Sequence, residues 1–228
     1  MRFDIITIFP NIFDSYFNES IIKRGLKKKL FKIKAHDLRR FSVDKHNKVD
    51  DRPYGGGAGM VLSALPVLRA VEKIKGRKKS KIVLLSAKGK QFNQKMAFDW
   101  AKKFENIVFI SGRYEGTDER IKKILKAEEV SIGPYVLTDG DVAIMAIISA
   151  VVRLIPGVIR LESLEEETHW NCLLKKEEAA LSKRKGLEYP HYTRPEILEW
   201  KGKKYKVPKV LLSGDHKKVE GWRKKKSG

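Results

Sequence analysis

What most constrains this chain is a regular alternation, from Phe3 to Arg153, of short apolar runs with segments of helical period. Residues 3–9 (FDIITIF) read as a buried strand. Residues 11–26 read as a helix: Pro10 precedes them, and Ile12, Phe13, Phe17, Ile21 and Ile22 recur near helical spacing. Residues 30–35, 81–86, 106–111 and 129–132 read as further strands. Between and after them, residues 65–74, 91–104, 117–125 and 141–153 read as helices, the last ending before Pro156-Gly157. Strands alternating with helices predict an α/β domain with a mostly parallel sheet flanked by helices.

In such a sheet, ligands gather at the loops beyond the carboxyl ends of the strands. Residues 86–89, 112–116 and 133–140 occupy that place, and all three carry glycine, which lets backbone groups come close to a ligand. One shared pocket is predicted there. Residues 50–59 (DDRPYGGGAG), with four glycines and a proline in ten positions, form another loop. It lacks the Gly-Lys-Ser/Thr ending of a phosphate loop and the spacing of a dinucleotide fingerprint. Packing of its backbone against a flat ligand or RNA is the reading kept for it.

Composition narrows the function. Lys and Arg number 49 against 28 Asp and Glu, a net charge of +21 with a sequence pI near 9.9. That field attracts polyanions, nucleic acid first among them; a generally lysine-rich surface is the plainer alternative. One cysteine, Cys172, leaves no internal disulfide and no multi-cysteine zinc site, and fits a reducing compartment. The five histidines show no metal-ligand spacing. Asp4 stands where a signal peptide would begin its apolar core, and the longest apolar run, residues 142–152, is too short for a bilayer. The sequence therefore reads as cytoplasmic, without a membrane role.

Beyond Gly157 the character changes. Residues 161–188 are acidic and polar and read as a flexible linker. Residues 201–228 hold eleven Lys/Arg against Asp215 and Glu220, a net +9. Two motifs keep two readings each. Residues 112–116 (GRYEG) with Asp118-Glu119-Arg120 are either a ligand loop or a plain strand-to-helix turn whose acids favour the helix N-terminus. Glu165-Glu166-Glu167 with His169 are either a solvated linker or the source of a carboxylate base, with Arg153 offsetting charge on an adjacent carbonyl oxygen.

Six stretches in order are residues 49–57 (VDDRPYGGG), 112–120, 131–137 (SIGPYVL), 153–158 (RLIPGV), 189–195 (YPHYTRP) and 211–214 (LLSG). With them the chain resembles the bacterial tRNA (guanine-N1)-methyltransferases, the TrmD family of SPOUT methyltransferases, over nearly its whole length. The resemblance implies a deep trefoil knot in a catalytic domain spanning residues 1–160. It implies a linker over 161–188 and a small, truncated, basic α-helical segment over 189–228 for tRNA binding. It also implies S-adenosylmethionine as methyl donor, a magnesium requirement, tRNA as partner, and a homodimer with the site at its interface. The target is the guanine 3′ of the anticodon, position 37.

Carried over by position, Leu84, Leu85, Ser86 and Ala87 line the adenine side of the cofactor site with Gly112, Arg113, Tyr114, Glu115 and Gly116. Ile132, Gly133, Tyr135, Val136, Leu137 and Gly140 cradle the rest. Arg153 matches the family's arginine. The family's aspartate base has no direct match: with a linker shorter by one residue, Glu166-Glu167-Thr168 replaces the acid-Asp-Ser pattern and Glu167 becomes the base, with Glu166 the alternative. Asp139-Gly140 replaces a Gly-Gly pair and adds a carboxylate beside the cofactor. A ribose 2′-O-methyltransferase and a non-catalytic RNA-binding protein are the competing classes.

Overall fold

A computed structural model describes residues 1–75, 80–160 and 189–226. The chain divides into two compact units, Met1–Arg160 and Leu161–Gly228.

The first unit is organised by a five-stranded sheet whose adjacent inner strands β1 and β6 are almost wholly buried. Strand β1 (Arg2–Thr7) buries every residue after the first, and β6 (Asn106–Ile110) buries all five. Strands covered on both faces read as continuous apolar runs rather than alternating ones, as expected inside a parallel sheet. The sheet runs β2-β1-β6-β5-β7, with β2 at Lys32–Asp37, β5 at Ser80–Gln91 and β7 at Glu128–Ser131, and every neighbouring pair is parallel. Strand period two sends neighbouring residues to opposite layers. Phe3, Ile5, Val83, Leu85, Ile107 and Phe109 enter one layer; Ile6, Leu84, Val108 and Ile110 enter the other.

Helices cover both layers. On the first lie α4 (Gln94–Lys103) and α6 (Asp141–Val152), which inserts Ala143, Ile144, Ile147, Ile148, Val151 and Val152 at i, i+3, i+4 spacing. On the second lie α3 (Ala64–Lys75) and α5 (Glu119–Leu125), through Val67, Ala70, Val71 and Ile121. Asn93 starts α4 by accepting the Met96 N–H at 2.9 Å, and Asp118 starts α5 by accepting the Arg120 N–H at 2.9 Å. Phe109, fully buried in the first layer, anchors the packing there; truncating such a side chain costs about 3–5 kcal/mol.

Three elements depart from the sequence expectation. The single helix read over residues 11–26 is a 3-10 turn (Pro10–Phe13), then α1 (Asp14–Phe17) and α2 (Ser20–Lys27). The break falls where Ser20 takes a φ of +52°, while Phe13 and Phe17 stack with centroids 5.7 Å apart. Strand β5 does not stop at residue 86 but resumes and reaches Gln91. The glycine-rich loop is flanked by two-residue antiparallel strands, β3 (Asp50–Asp51) and β4 (Val61–Leu62).

Among the described residues of the second unit, expected to be helical, a β-hairpin of β8 (Ile197–Trp200) and β9 (Lys203–Lys206) comes first. Helices α7 (Lys209–Leu212) and α8 (His216–Lys226) follow. Tyr192 meets Trp222 at 6.3 Å between centroids, and the Arg223 guanidinium lies 4.7 Å from the Tyr189 ring.

Candidate functional site: a backbone-lined cavity at three strand ends

Strand β5 carries an arch. Val130 of β7 pairs with Leu85 and again with Lys90, so residues 86–89 leave the ladder and return to the same partner. The return requires glycine: a Cβ on Gly89 would stand 2.5 Å from the Val130 nitrogen. The loop after β6 passes close beneath the arch, where a Cβ on Gly112 would stand 2.7 Å from the Leu85 carbonyl oxygen. The segment after β7 then comes to Gly140, whose N–H donates to the Gly112 carbonyl at 2.9 Å. A Cβ on Gly140 would stand 2.9 Å from the Gly112 nitrogen and 3.0 Å from the Leu85 Cβ. Three chain segments thus stack backbone on backbone with no room for side chains between them.

The walls are fixed by short-range bonds. The Ser131 hydroxyl accepts from the Gly133 N–H at 3.2 Å and donates to the Gly133 carbonyl at 2.8 Å. The Tyr135 ring folds back over Gly133, leaving no room for a Cβ there. Opposite, Gly116 takes a φ of +135°, a region that favours glycine, and its carbonyl accepts the Leu62 N–H at 3.0 Å. The Glu115 N–H donates to the Met60 carbonyl at 3.1 Å, which ties the glycine-rich loop to this wall.

The result is a cavity of about 410 Å³, within the range of small-molecule sites. Leu85, Ser86, Ala87, Gly112, Arg113, Tyr114, Glu115 and Gly116 line it, as do Ile132, Tyr135, Val136, Leu137 and Gly140. Of the residues expected there, Leu84 and Gly133 do not. Leu84 points into the opposite core layer with Ile6, Val108 and Ile110, as period two requires beside Leu85. Gly133 lies beneath the Tyr135 ring.

The whole chain, residues 1–228, matches the family described as tRNA (Guanine-1)-methyltransferase TrmD. It is 45% identical to a tRNA (guanine-N(1)-)-methyltransferase of Carboxydothermus hydrogenoformans, over the full chain and 83% of that relative. It is 44% identical to the protein of that name from Clostridium botulinum strain Kyoto, over the full chain and 87% of the relative. With that of Thermomicrobium roseum it shares 45% identity over 98% of this chain and 78% of the relative. The chain belongs to the tRNA (guanine-1)-methyltransferase family.

In this family member the cavity is electrically unlike the molecule around it. A chain of net charge +21 lines it with two cations, Lys88 and Arg113, against four carboxylates, Glu115, Glu119, Glu129 and Asp139. Arg113 is held in place: its guanidinium meets the buried Asp141 carboxylate at 2.5 Å and Asp139 at 3.5 Å, and covers the Phe9 ring at 4.4 Å. Asp139, read from the sequence as a carboxylate added beside the cofactor, caps α6. Its Oδ1 accepts the Asp141 N–H at 2.9 Å and the Val142 N–H at 3.4 Å.

Glu129 had no sequence signal beyond being an acid in a strand, yet it lines the cavity. Burial raises the pKa of its carboxyl, but the Lys122 hydrogen bond, the Lys88 charge and a Ser86 hydrogen bond outweigh burial and hold it below its ordinary 4.5. Tyr114, in a left-handed conformation with φ +60°, has its phenol pushed above 10.0 by burial first and by Asp50 second.

Of the two residues expected to act on the substrate, Arg153 alone is among the described residues, and it lies elsewhere. Arg153 caps the C-terminal end of α6, whereas the cavity sits at its N-terminal end. Twelve residues of helix separate them by roughly 18 Å. Within one chain the structure does not bring Arg153 to the cavity. Glu167, like Glu166, lies outside the described residues. Among the described residues no group of three or more His, Cys, Asp or Glu side chains is set to hold a metal, and no helix is long and apolar enough to cross a membrane.

Proposed function

We infer that this protein transfers the methyl group of S-adenosylmethionine to N1 of guanine 37 in tRNA. One observation carries the reading: a backbone-lined cavity at three parallel strand ends, in a chain that matches the methyltransferase family along its whole length. The cavity suits the donor in two respects. Its glycines leave backbone groups open to a flat adenine edge, and its excess of carboxylates suits a cationic sulfonium. When bound, the donor supplies an electrophilic methyl on positively charged sulfur.

The chain's own residues do the rest. The loops around Leu85, Gly112 and Gly140 hold and orient, and Tyr135, Val136 and Leu137 line the cavity on its solvent side. The Glu167 carboxylate takes the proton from guanine N1, and the Arg153 guanidinium offsets negative charge on O6. The roughly 18 Å between Arg153 and the cavity of its own chain supports a homodimer in which one copy supplies the cavity and the other the arginine. Exposed apolar side chains support the same reading: Val142 on α6 is half-exposed, as are Ile12 and Tyr16, and the Tyr16 hydroxyl donates to Ser149 of α6 at 3.0 Å.

A trefoil knot fits the contacts. The chain leaves edge strand β7, passes against Gly112 at the end of β6, and returns as α6 beneath Phe3 and Phe109. In this reading residues 1–160 are the catalytic domain, 161–188 the linker carrying the base, and 189–228 a basic tRNA-binding segment, all acting in the cytoplasm. A magnesium requirement finds no donor cluster among the described residues, and no step is assigned to it.

Mass spectrometry of nucleosides tests the proposal. Unmodified tRNA incubated with the protein and S-adenosylmethionine should yield 1-methylguanosine only when position 37 is guanine. A methyl group on ribose, or none at all, would overturn it.

A further inference from the structure

The β8–β9 hairpin divides its residues by chemistry. Its register pairs Ile197 with Lys206, Leu198 with Tyr205, Glu199 with Lys204 and Trp200 with Lys203. Alternation then places Ile197, Glu199, Lys204 and Lys206 on one face and Leu198, Trp200, Lys203 and Tyr205 on the other. On the first face Lys204 Nζ meets Glu199 at 2.9 Å, beside Lys206. The second face holds no acid. Lys203 stands opposite an indole, and among the described residues it has no acidic partner.

On that second face the rings are uncovered. Trp200 is 63% exposed, Tyr205 54% and Leu198 52%. Among the described residues of this unit, Tyr189 meets His191 and a guanidinium, and Tyr192 meets Trp222. Neither Trp200 nor Tyr205 meets a ring or a cation among the described residues.

The turn adds a third observation. Lys201 and Gly202 have φ of +48° and +72°, the geometry of a two-residue type I′ turn. Asn, Asp and Gly favour its first position and lysine does not. The chain thus places an ammonium group at the tip where the backbone prefers another residue. Backbone strain of this kind gathers at functional positions.

We propose that the Leu198–Trp200–Lys203–Tyr205 face and the Lys201 tip are a contact for unpaired RNA nucleotides. The two rings stack on bases, and Lys201 and Lys203 meet the flanking phosphates. Rings interleaved with cations are the pattern that binds single-stranded nucleic acid. Four lysines against Glu196 and Glu199 across residues 196–206 favour a polyanion over a protein surface of mixed charge. The proposal rests on the reading of tRNA as substrate and names the part of this chain that holds its unpaired bases.

The test measures the affinity of the full-length protein for unmodified tRNA by fluorescence anisotropy across a salt series, with S-adenosylmethionine affinity and sedimentation in parallel. Trp200→Ala and Tyr205→Ala should each weaken tRNA binding on the order of tenfold and leave cofactor affinity unchanged, while Trp200→Phe retains most of the binding. Lys201→Gly should hold or raise the melting temperature, since it relieves the turn, yet weaken tRNA binding and lower the salt slope by about one. Wild-type affinity and slope in Trp200→Ala and Lys201→Gly would overturn the proposal. So would a change in sedimentation without a change in RNA affinity, which would assign the face to a second copy of the chain. Methyl transfer is scored separately: tRNA binding lost in Trp200→Ala, from a protein that never forms 1-methylguanosine, would sink the enzymatic reading and leave the hairpin contact standing.

Discussion

The Arg113 guanidinium, on the loop after β6, reaches the fully buried carboxylate of Asp141 in the first turn of α6. This contact joins two of the three loops that form the cavity, and it makes Arg113 more a tether of the site than an open ligand group. Arg113→Met would strand a buried charge, at a cost of about 3–5 kcal/mol. Adding Asp141→Asn should restore most of that loss. Urea unfolding of the two singles and the double checks this, and additive losses would refute the coupling.

Gly140→Ala puts a methyl group 2.9 Å from the Gly112 nitrogen and 3.0 Å from Leu85 Cβ. The loops must part to admit it, and of the core only Leu85, at its edge, is pressed. The expected result is at least a tenfold loss of S-adenosylmethionine affinity by calorimetry, about 1.4 kcal/mol, with melting temperature little changed.

Glu167→Gln and Arg153→Ala should each abolish turnover with cofactor affinity nearly intact. Wild-type activity in Glu167→Gln would move the base to Glu166. Because Arg153 and the cavity lie at opposite ends of α6, mixing inactive Arg153→Ala protein with Gly140→Ala protein should restore activity. In hybrid dimers one site is whole, so about a quarter of wild-type sites return at equal mixing. No recovery after subunit exchange would mean that each chain works alone.

Glu129 sets a pH dependence whose sign can be worked out. Its carboxyl is held below 4.5 in the folded chain. The native state therefore binds this proton more weakly than the unfolded state, and the stabilisation is present above pH 4.5 and lost as pH falls through the folded value. Tyr114 acts in the other direction: its phenol, raised above 10.0, contributes below pH 10 and loses that contribution at higher pH. Denaturation of Glu129→Gln between pH 3 and 7 should show a flatter acid limb than wild type, and a limb of equal slope would show that Glu129 is not the group responsible.

The alternation of apolar runs made the parallel sheet legible, since β1 and β6 are buried on both faces and must read that way. It could not show the arch. The residues that resume β5, Lys90 and Gln91, are polar because they pair only with edge strand β7. The hairpin was hidden for a related reason: with six charged residues between Glu196 and Lys206, no period of two stands out, and Lys201-Gly202 is a weak turn signal. Thirteen cavity-lining residues were carried over by position from the family, and Lys88 and Glu119 fall in stretches read as possible ligand loops, but Glu129 was not foreseen, because its place depends on which strands lie side by side. Arg113 and Asp139 were placed in loops that line the cavity, but the bond of Arg113 to Asp141 and the bonds of Asp139 to the start of α6 were not read from the sequence. A carboxylate two residues before a helix reads equally well as ligand or as cap.

Both feet of the β5 arch stand on Val130. The span between them is therefore independent of the sheet's own spacing: residues can be exchanged or inserted there while strand pairing on either side keeps its register. Selection can thus reshape one side of the cavity without asking the domain to relearn how to fold.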